Sequence, residues 1–327
     1  MYRYCLEPYK GMSSRYRCPQ CGKAKVFTRY IDTQTGEHLS IRYGKCERVN
    51  KCGYWLNPYK DGFVNKGDTE IGIQKYPNKS RLPDLQQGLA PSTVPDEVFL
   101  KSRQSYDHNC FVEYLRTLFS NDVVRELIAS YHIGTSKHWP GATVFWQIDG
   151  LGQIRSGKIM LYCARNGHRV KSPYNHITWA HKVCKLEHFR LEQCLFGEHL
   201  LPLHPLKPVA IVESEKTAII ASAYLPDFIW LAVGSLNNLS EKRCLPLAGR
   251  KAFLFPDLGA YHAWAEKAAK LSDICHFAVS DILERIATEQ DRKDGLDIAD
   301  YLIRYPLQQF QRKGERASVV KFRRSVN

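Results

Sequence analysis

A chain of 327 residues, 44% of them hydrophobic, can bury two or three compact cores, which excludes global disorder. Its longest apolar runs, such as Val209 to Val212 and Phe228 to Val233, fall far short of the roughly 20 residues of a bilayer span, so no membrane segment is expected. The net charge of +14 is concentrated at the ends: residues 1–60 hold 12 Lys/Arg against 4 Asp/Glu, residues 301–327 hold 7 against 1, and residues 61–300 hold 28 of each.

Basic ends suit a polyanionic partner, nucleic acid first, because neutralising phosphates releases counterions. The other reading is that they merely solubilise, and it weighs more on the tail than on the front. The start, Met1 to Glu7, lacks the apolar region of a secretory signal. A cytoplasmic location is therefore expected, with the eleven cysteines mostly reduced.

Residues 1–60 carry Cys18-Pro19-Gln20-Cys21-Gly22 and, further on, Cys46 and Cys52-Gly53. Two pairs, each closed by a Cys-Gly turn, can give Cys18, Cys21, Cys46 and Cys52 as four thiolates to a structural Zn2+, with strands between them forming a zinc ribbon. The second pair has five intervening residues where two is usual, so its knuckle must be enlarged. Disulfides or unlinked core cysteines are the competing readings. Basic and aromatic residues interleave around the first pair: Arg15, Tyr16, Arg17, Lys23, Lys25, Phe27, Arg29 and Tyr30. Cations can follow a phosphate backbone while rings stack on unpaired bases, so Arg15, Arg17, Lys23 and Lys25 are candidate contacts to single-stranded DNA. The rings could equally be the ribbon's core.

Residues 61–93 are polar and aperiodic and read as a linker. From Val94 to Tyr131, apolar residues recur at helical spacing, which predicts two or three helices. Period-two runs at Ala142–Ile148 and Ile159–Ala164, with an Asn166-Gly167 turn, predict a small sheet. Gly152 to Ile159 nearly matches a phosphate-binding loop. It has Ile159 where Ser or Thr should hold magnesium, and it leads into a strand rather than a helix, so an ATPase loop is rejected. Lys158, Arg165, Arg169 and Lys171 are candidates for a basic face toward template or nucleotide phosphates, or form the hairpin's solvated side. His181, Cys184, His188, Cys194 and His199 lack metal-ligand spacing and are read as packing.

Lys207 to Ala221 combines a short apolar run with a helical pattern and places Glu213 at the junction. In an open α/β sheet, ligands gather outside the carboxyl ends of the strands, which makes Glu213 the leading catalytic candidate. The alternation continues with strands at Phe228–Val233, Ala252–Phe255 and Ile274–Val279, so a mainly parallel α/β sheet is expected. Asp257 follows the third strand, and Lys293-Asp294 to Tyr301-Leu302 closes the pattern with Asp297 and Asp300 inside it; the competing reading is that these acids are helix caps and solvated loop charges.

Residues 207–303, on Glu213, Gly234-Ser235, Asp257 and the Asp294 to Asp300 cluster, resemble the Toprim domain of bacterial DnaG-type primases. Gly157 to Tyr162 and Cys194 to Gly197 resemble the amino-terminal half of a primase core, over residues 94–206, and the ribbon sits where primases carry theirs. The chain as a whole is similar to short primase-like proteins of bacterial mobile elements, with residues 304–327 as a basic tail. The resemblance implies catalysis by Glu213, Asp257 and Asp297. It also implies Mg2+ or Mn2+ on Glu213, Asp257 and Asp297 or Asp300, with single-stranded DNA, nucleoside triphosphates and a separate replicative helicase as partners. Lys216 then contacts phosphate from the helix start, or is a surface lysine; Glu215 is open in the same way. One departure stands out, since Toprim domains carry Asp-x-Asp where this chain has Asp257-Leu258-Gly259. A nuclease using the same acids, or a non-catalytic single-strand-binding replication accessory, is the alternative to primer synthesis.

Overall fold

The structure, a computed structural model, describes residues 3–48, 52–59, 61, 63 and 90–310. The chain divides into two compact units, Met1–Gly88 and Leu89–Asn327. The expected linker falls largely on residues outside the described ones, as do residues 311–327 of the expected basic tail.

The first unit is a four-stranded antiparallel sheet of β1 (Tyr4–Leu6), β2 (Phe27–Asp32), β3 (Gly44–Cys46) and β4 (Trp55–Leu56), in that order. Phe27 and Tyr30 are buried, so these two rings are core rather than stacking surface. Each cysteine pair closes on a knuckle. The Gly22 N–H donates to the Cys18 carbonyl and the Gly53 N–H to the Arg48 carbonyl, with φ +65° and +64° respectively. That left-handed backbone is what the two Cys-Gly dipeptides supply.

The second unit begins with helices α1 (Asp96–Ser102), α2 (Cys110–Leu118) and α3 (Asn121–Ser130). The Asn109 and Ser120 side chains cap the last two by accepting from first-turn backbone N–H groups. An antiparallel sheet follows, in the order β5 (Gly134–Ser136), β6 (Ala142–Ile148), β7 (Ile154–Met160), β8 (Ile177–Trp179), with α4 (Ala180–Val183) after it. Strand β7 starts five residues before the expected Ile159 because Gly157 and Lys158 are strand residues, not a loop. A Cβ at Gly157 would lie 2.5 Å from the Trp146 ring, so the glycine lets β7 lie flat under that indole.

The remainder is a β/α alternation: β9 (Val209–Val212), α5 (Glu215–Tyr224), β10 (Ile229–Ala232), α6 (Glu241–Cys244), β11 (Lys251–Leu254), α7 (Tyr261–Lys270), β12 (His276–Val279), then α8 (Ile282–Ile286), α9 (Glu289–Asp294) and α10 (Ile298–Leu302). The four strands are all parallel, in the order β10-β9-β11-β12. Both faces are covered. Ala210, Val212, Trp230 and Ala232 pack toward α2, α3, α5 and α10, while Val209, Ile211, Leu231 and Leu254 pack toward α7. Burial on both sides is why these strands read as unbroken apolar runs. The chain winds outward from β9 to β10 on one side and from β11 to β12 on the other, so the topological switch lies between β9 and β11.

One core runs from Phe111 through Phe145 and Trp230 to Leu302, so the stretches expected as separate domains, 94–206 and 207–303, form one unit. That unit extends past residue 303. Arg304 pairs with Asp291, the Tyr305 carbonyl accepts from the Tyr224 hydroxyl, and Phe310 meets Tyr224 edge-on. Among the described residues no helix is long and apolar enough to cross a membrane.

Candidate metal centre and acidic cavity

The Sγ atoms of Cys18, Cys21, Cys46 and Cys52 all lie within 4.8 Å of one another, and among the described residues this is the only group of three or more His, Cys, Asp or Glu so gathered. Cys18 and Cys46 are buried, and all four are free thiols. The Lys23 backbone N–H holds the Cys21 thiol down at about 6, whereas burial pushes Cys46 up to about 12. Arg48 Nη1 sits 3.5 Å from the Cys21 sulfur. Four sulfurs from two knuckles gathered this closely are a donor set that fits structural zinc. His181, Cys184, His188, Cys194 and His199, read from sequence as packing, belong to no such group among the described residues.

The basic residues around this centre differ from one another. Arg15 is ion-paired with Glu47 and its guanidinium lies 4.8 Å over the Tyr9 ring. Arg17 Nη1 donates to the Gly22 carbonyl at 2.6 Å and braces the knuckle. Lys23 and Lys25 are exposed.

In the second unit, Glu213 directly follows β9 and Asp257 follows β11, which places them at the carboxyl ends of the two strands flanking the switch. Both line a cavity of about 450 Å³ together with Asp297 and Asp300, and with Lys158, Arg169, Lys171 and Lys216. The three long-range elements are tied at this point. The Leu258 N–H donates to the Leu296 carbonyl at 3.0 Å, and the Thr217 hydroxyl donates to Asp297 Oδ2 at 2.6 Å. All four carboxylates expected from sequence therefore line one cavity, along with four of the nine candidate cations, Lys158, Arg169, Lys171 and Lys216.

Their engagement is uneven. Asp297 caps α10 by accepting from the Ala299 and Asp300 N–H groups, and Asp300 Oδ2 accepts from the Asp297 N–H in return. Lys216 Nζ lies 3.6 Å from Asp300 Oδ1. Burial alone would lower the Lys216 ammonium, but Asp297 and Asp300 outweigh it and hold it above the ordinary lysine value. Asp257 Oδ1 is shut off from solvent and has no hydrogen-bond partner. Burial, and then the neighbouring Asp297, Glu213 and Asp300, push the Asp257 carboxyl well above the usual carboxylate range. An orphaned carboxylate oxygen among like charges fits a hard divalent cation, whose charge would restore ionisation. The fit is by donor chemistry, since among the described residues no three acids lie within 4.8 Å of one another.

Lys158 departs most from expectation. It was expected on a basic hairpin face, yet it is buried, and its Nζ donates to both carboxylate oxygens of Glu215 at 3.0 Å. The ambiguity over Glu215 ends here too: it is 1% exposed and is the partner of that lysine. Gly234 permits the close approach, since a Cβ there would lie 3.3 Å from Glu215 Oε1. Sequence reasoning missed this pair, although a lysine inside an apolar strand is itself a signal that a buried counter-charge exists. Arg169 and Lys171, in contrast, are exposed at the rim. Gly259 does not line the cavity. Its φ is +80° and its N–H donates to Glu284 Oε1 at 2.8 Å, so the loop is built on a backbone that an aspartate would strain.

A family model described as a domain of unknown function (DUF6371) matches residues 109–258, and one described as a zinc beta-ribbon finger matches residues 2–68. None of the curated proteins compared with the chain matches it. Similar solved structures include the primase fragment of the bacteriophage T7 primase-helicase protein, at 12% identity and TM-score 0.36, covering 86% of this chain and 98% of that one. They also include the zinc-binding and RNA polymerase domains of the Aquifex aeolicus primase, at 13% identity and TM-score 0.40, covering 93% and 78%.

Proposed function

We propose that the chain is a primase-like nucleotidyltransferase that binds single-stranded DNA and joins nucleoside triphosphates into primers at the acidic cavity. One juxtaposition carries the reading: Glu213 and Asp257 at the switch of a parallel sheet, the second with a partnerless buried oxygen, in a cavity that also presents Lys216, Arg169 and Lys171. Acids and bases in one cleft match a substrate that is a polyphosphate and arrives with a divalent cation. Mg2+ or Mn2+ would be held by Glu213 and Asp257, with Asp297 or Asp300 adjoining, and when bound would offset the charge that grows on phosphate oxygens during in-line displacement.

The other roles fall to the chain's own groups. Lys216, kept protonated by Asp297 and Asp300, offers a fixed positive charge to a triphosphate. Arg169 and Lys171 hold phosphates at the rim, and Lys158, neutralised by Glu215, positions the floor between β7 and the Gly234 turn. The carboxylate loops take the parts of Toprim acids. The ribbon, through Arg17, Lys23 and Lys25, adds affinity for the template, and a separate helicase opens duplex for it in the replication of a mobile element.

Primer synthesis on single-stranded templates by wild type and Glu213→Gln tests the reading. The variant should fold normally and lose synthesis by at least about a hundredfold, the scale of losing a principal electrostatic group. A wild-type protein that extends nothing across metals and nucleotides would sink it. Cleavage of the template without nucleotides would instead favour a Toprim nuclease. The caps and the lysine contact that occupy Asp297 and Asp300 favour a second reading, a non-catalytic single-strand-binding accessory. On that reading, salt-sensitive DNA binding survives Glu213→Gln and Asp257→Ala with no incorporation at all.

A further inference from the structure

The hairpin that closes between Tyr162 and Arg169 leads out of the acidic cavity, with Arg165, His168, Arg169 and Lys171 exposed along it. No acidic residue occurs from Tyr162 to Leu186, so nothing in the local sequence neutralises this stretch. Immediately beyond Lys171 the surface changes from charged to aromatic. Tyr174 lies on the His176 ring with centroids 4.4 Å apart and planes 22° apart. His176 meets Trp139 edge-on at 5.1 Å, and Trp139 meets His138 at 4.4 Å.

Four rings from two separated segments thus form one continuous series. Its middle is fixed. His176 is buried, its Nδ1 lies 3.3 Å from the Val170 carbonyl oxygen, and its own carbonyl accepts from the Leu161 N–H. Its outer end is not covered: Tyr174 is 41% exposed. A ring held flat from behind by a second ring and open in front has already lost the freedom that stacking would otherwise cost.

We infer that this segment is a single-strand track, in which Arg169 and Lys171 hold consecutive phosphates at the cavity rim and Tyr174 stacks on an unpaired base of the template. The fitting partner is single-stranded DNA rather than duplex, because the faces of paired bases are covered by their neighbours. Stacking also tolerates any base, as a template reader must. The inference rests on the reading that the chain handles single strands, but it concerns binding alone and needs neither nucleotides nor a divalent cation.

The test is the affinity of the full, zinc-loaded chain for a labelled oligo-dT, without nucleotides or magnesium, for wild type, Tyr174→Ala and Tyr174→Phe, with a duplex of equal length as control. Tyr174→Ala should weaken single-strand binding roughly tenfold, and Tyr174→Phe, which keeps the ring, should match wild type. Duplex binding should not change. Lys171→Ala should lower the salt slope by about 0.7. In the wild-type protein, a 5-iododeoxyuridine oligonucleotide should crosslink at Tyr174, a readout that depends on no variant folding. Unchanged affinity in Tyr174→Ala, equal damage from Tyr174→Phe, or a crosslink mapped elsewhere overturns the track. Primer synthesis with Tyr174-independent binding counts against the track alone. Tyr174-dependent binding without any primer synthesis counts against the nucleotidyltransferase reading alone.

Discussion

The four cysteines and the four carboxylates are both gatherings of potential anions, yet they are built in opposite ways. The cysteines come from two knuckles of one small sheet, close to within 4.8 Å, and leave no ligand over. The carboxylates come from the ends of two parallel strands and a distant capped helix. Two of them are partly occupied by caps and by Lys216, and one keeps an oxygen without a partner. The first arrangement has only one state to stabilise, the ion-bound one. The second sets Lys216 against Asp300 and leaves a cavity of about 450 Å³ between its carboxylates and lysines.

Zinc removal is the strongest way to break the contrast. Structural zinc contributes about 10 kcal/mol or more of folding free energy in small zinc modules, so chelation, or Cys46→Ser, should unfold the first unit outright. Hydrogen exchange followed by mass spectrometry should show protection lost from Tyr4 to Leu56 and retained across the second unit. Protection that persists in the ribbon without metal would mean that its small core suffices.

The buried pair beneath the acidic cavity comes next. Glu215→Gln leaves the Lys158 ammonium buried without a counter-charge and should cost about 3–5 kcal/mol in chemical denaturation. The double variant Lys158→Met with Glu215→Leu should recover most of that loss, since the desolvation of both charges disappears with them. A single variant as stable as wild type would show that Lys158 reaches water, and would return it to the exposed basic face that its sequence position suggests.

Gly259→Asp, which places an Asp-x-Asp pattern in the loop, probes the cavity more gently. At φ +80° a side chain is strained by about 1–2 kcal/mol, and the position lies outside the cavity lining. The variant should be slightly less stable and should bind Mg2+ no better in calorimetric titration. A clear gain in affinity would mean that the loop can turn this position inward.

The contrast between the two regions also explains what could be read from sequence. The cysteine spacing and the apolar runs of β9, β10 and β11 are local signals, and the structure places them close to where the residues alone do. Glu213 and Asp257 were legible for the same reason, as acids that end apolar strands. The pairing of Lys158 with Glu215, 57 residues apart, and of Thr217 with Asp297, 80 apart, were not, because no local period records which buried charges meet. The Arg15–Glu47 pair was hidden on the same ground, since 32 residues separate its members in sequence.

The smallest expected effect concerns how the capped helix is held against the sheet. Asp291 accepts from Arg304 Nη2 at 2.8 Å, from the Tyr301 hydroxyl at 2.9 Å and from the Thr288 N–H at 3.0 Å, tying α9 to α10 and so to Asp297. Arg304 first, and then Thr288, hold its carboxyl far below the usual carboxylate range. A carboxyl with a depressed native pKa adds stability that is fully present above its unfolded value of about 4 and fades as pH falls below it. Asp291→Asn should therefore melt a few degrees below wild type at neutral pH, with the gap closing on acidification past pH ~4. A gap independent of pH would mean that Asp291 acts by shape alone. The cavity would then owe the placement of Asp297 to the Thr217 hydroxyl and to packing of the α10 face, not to this charge.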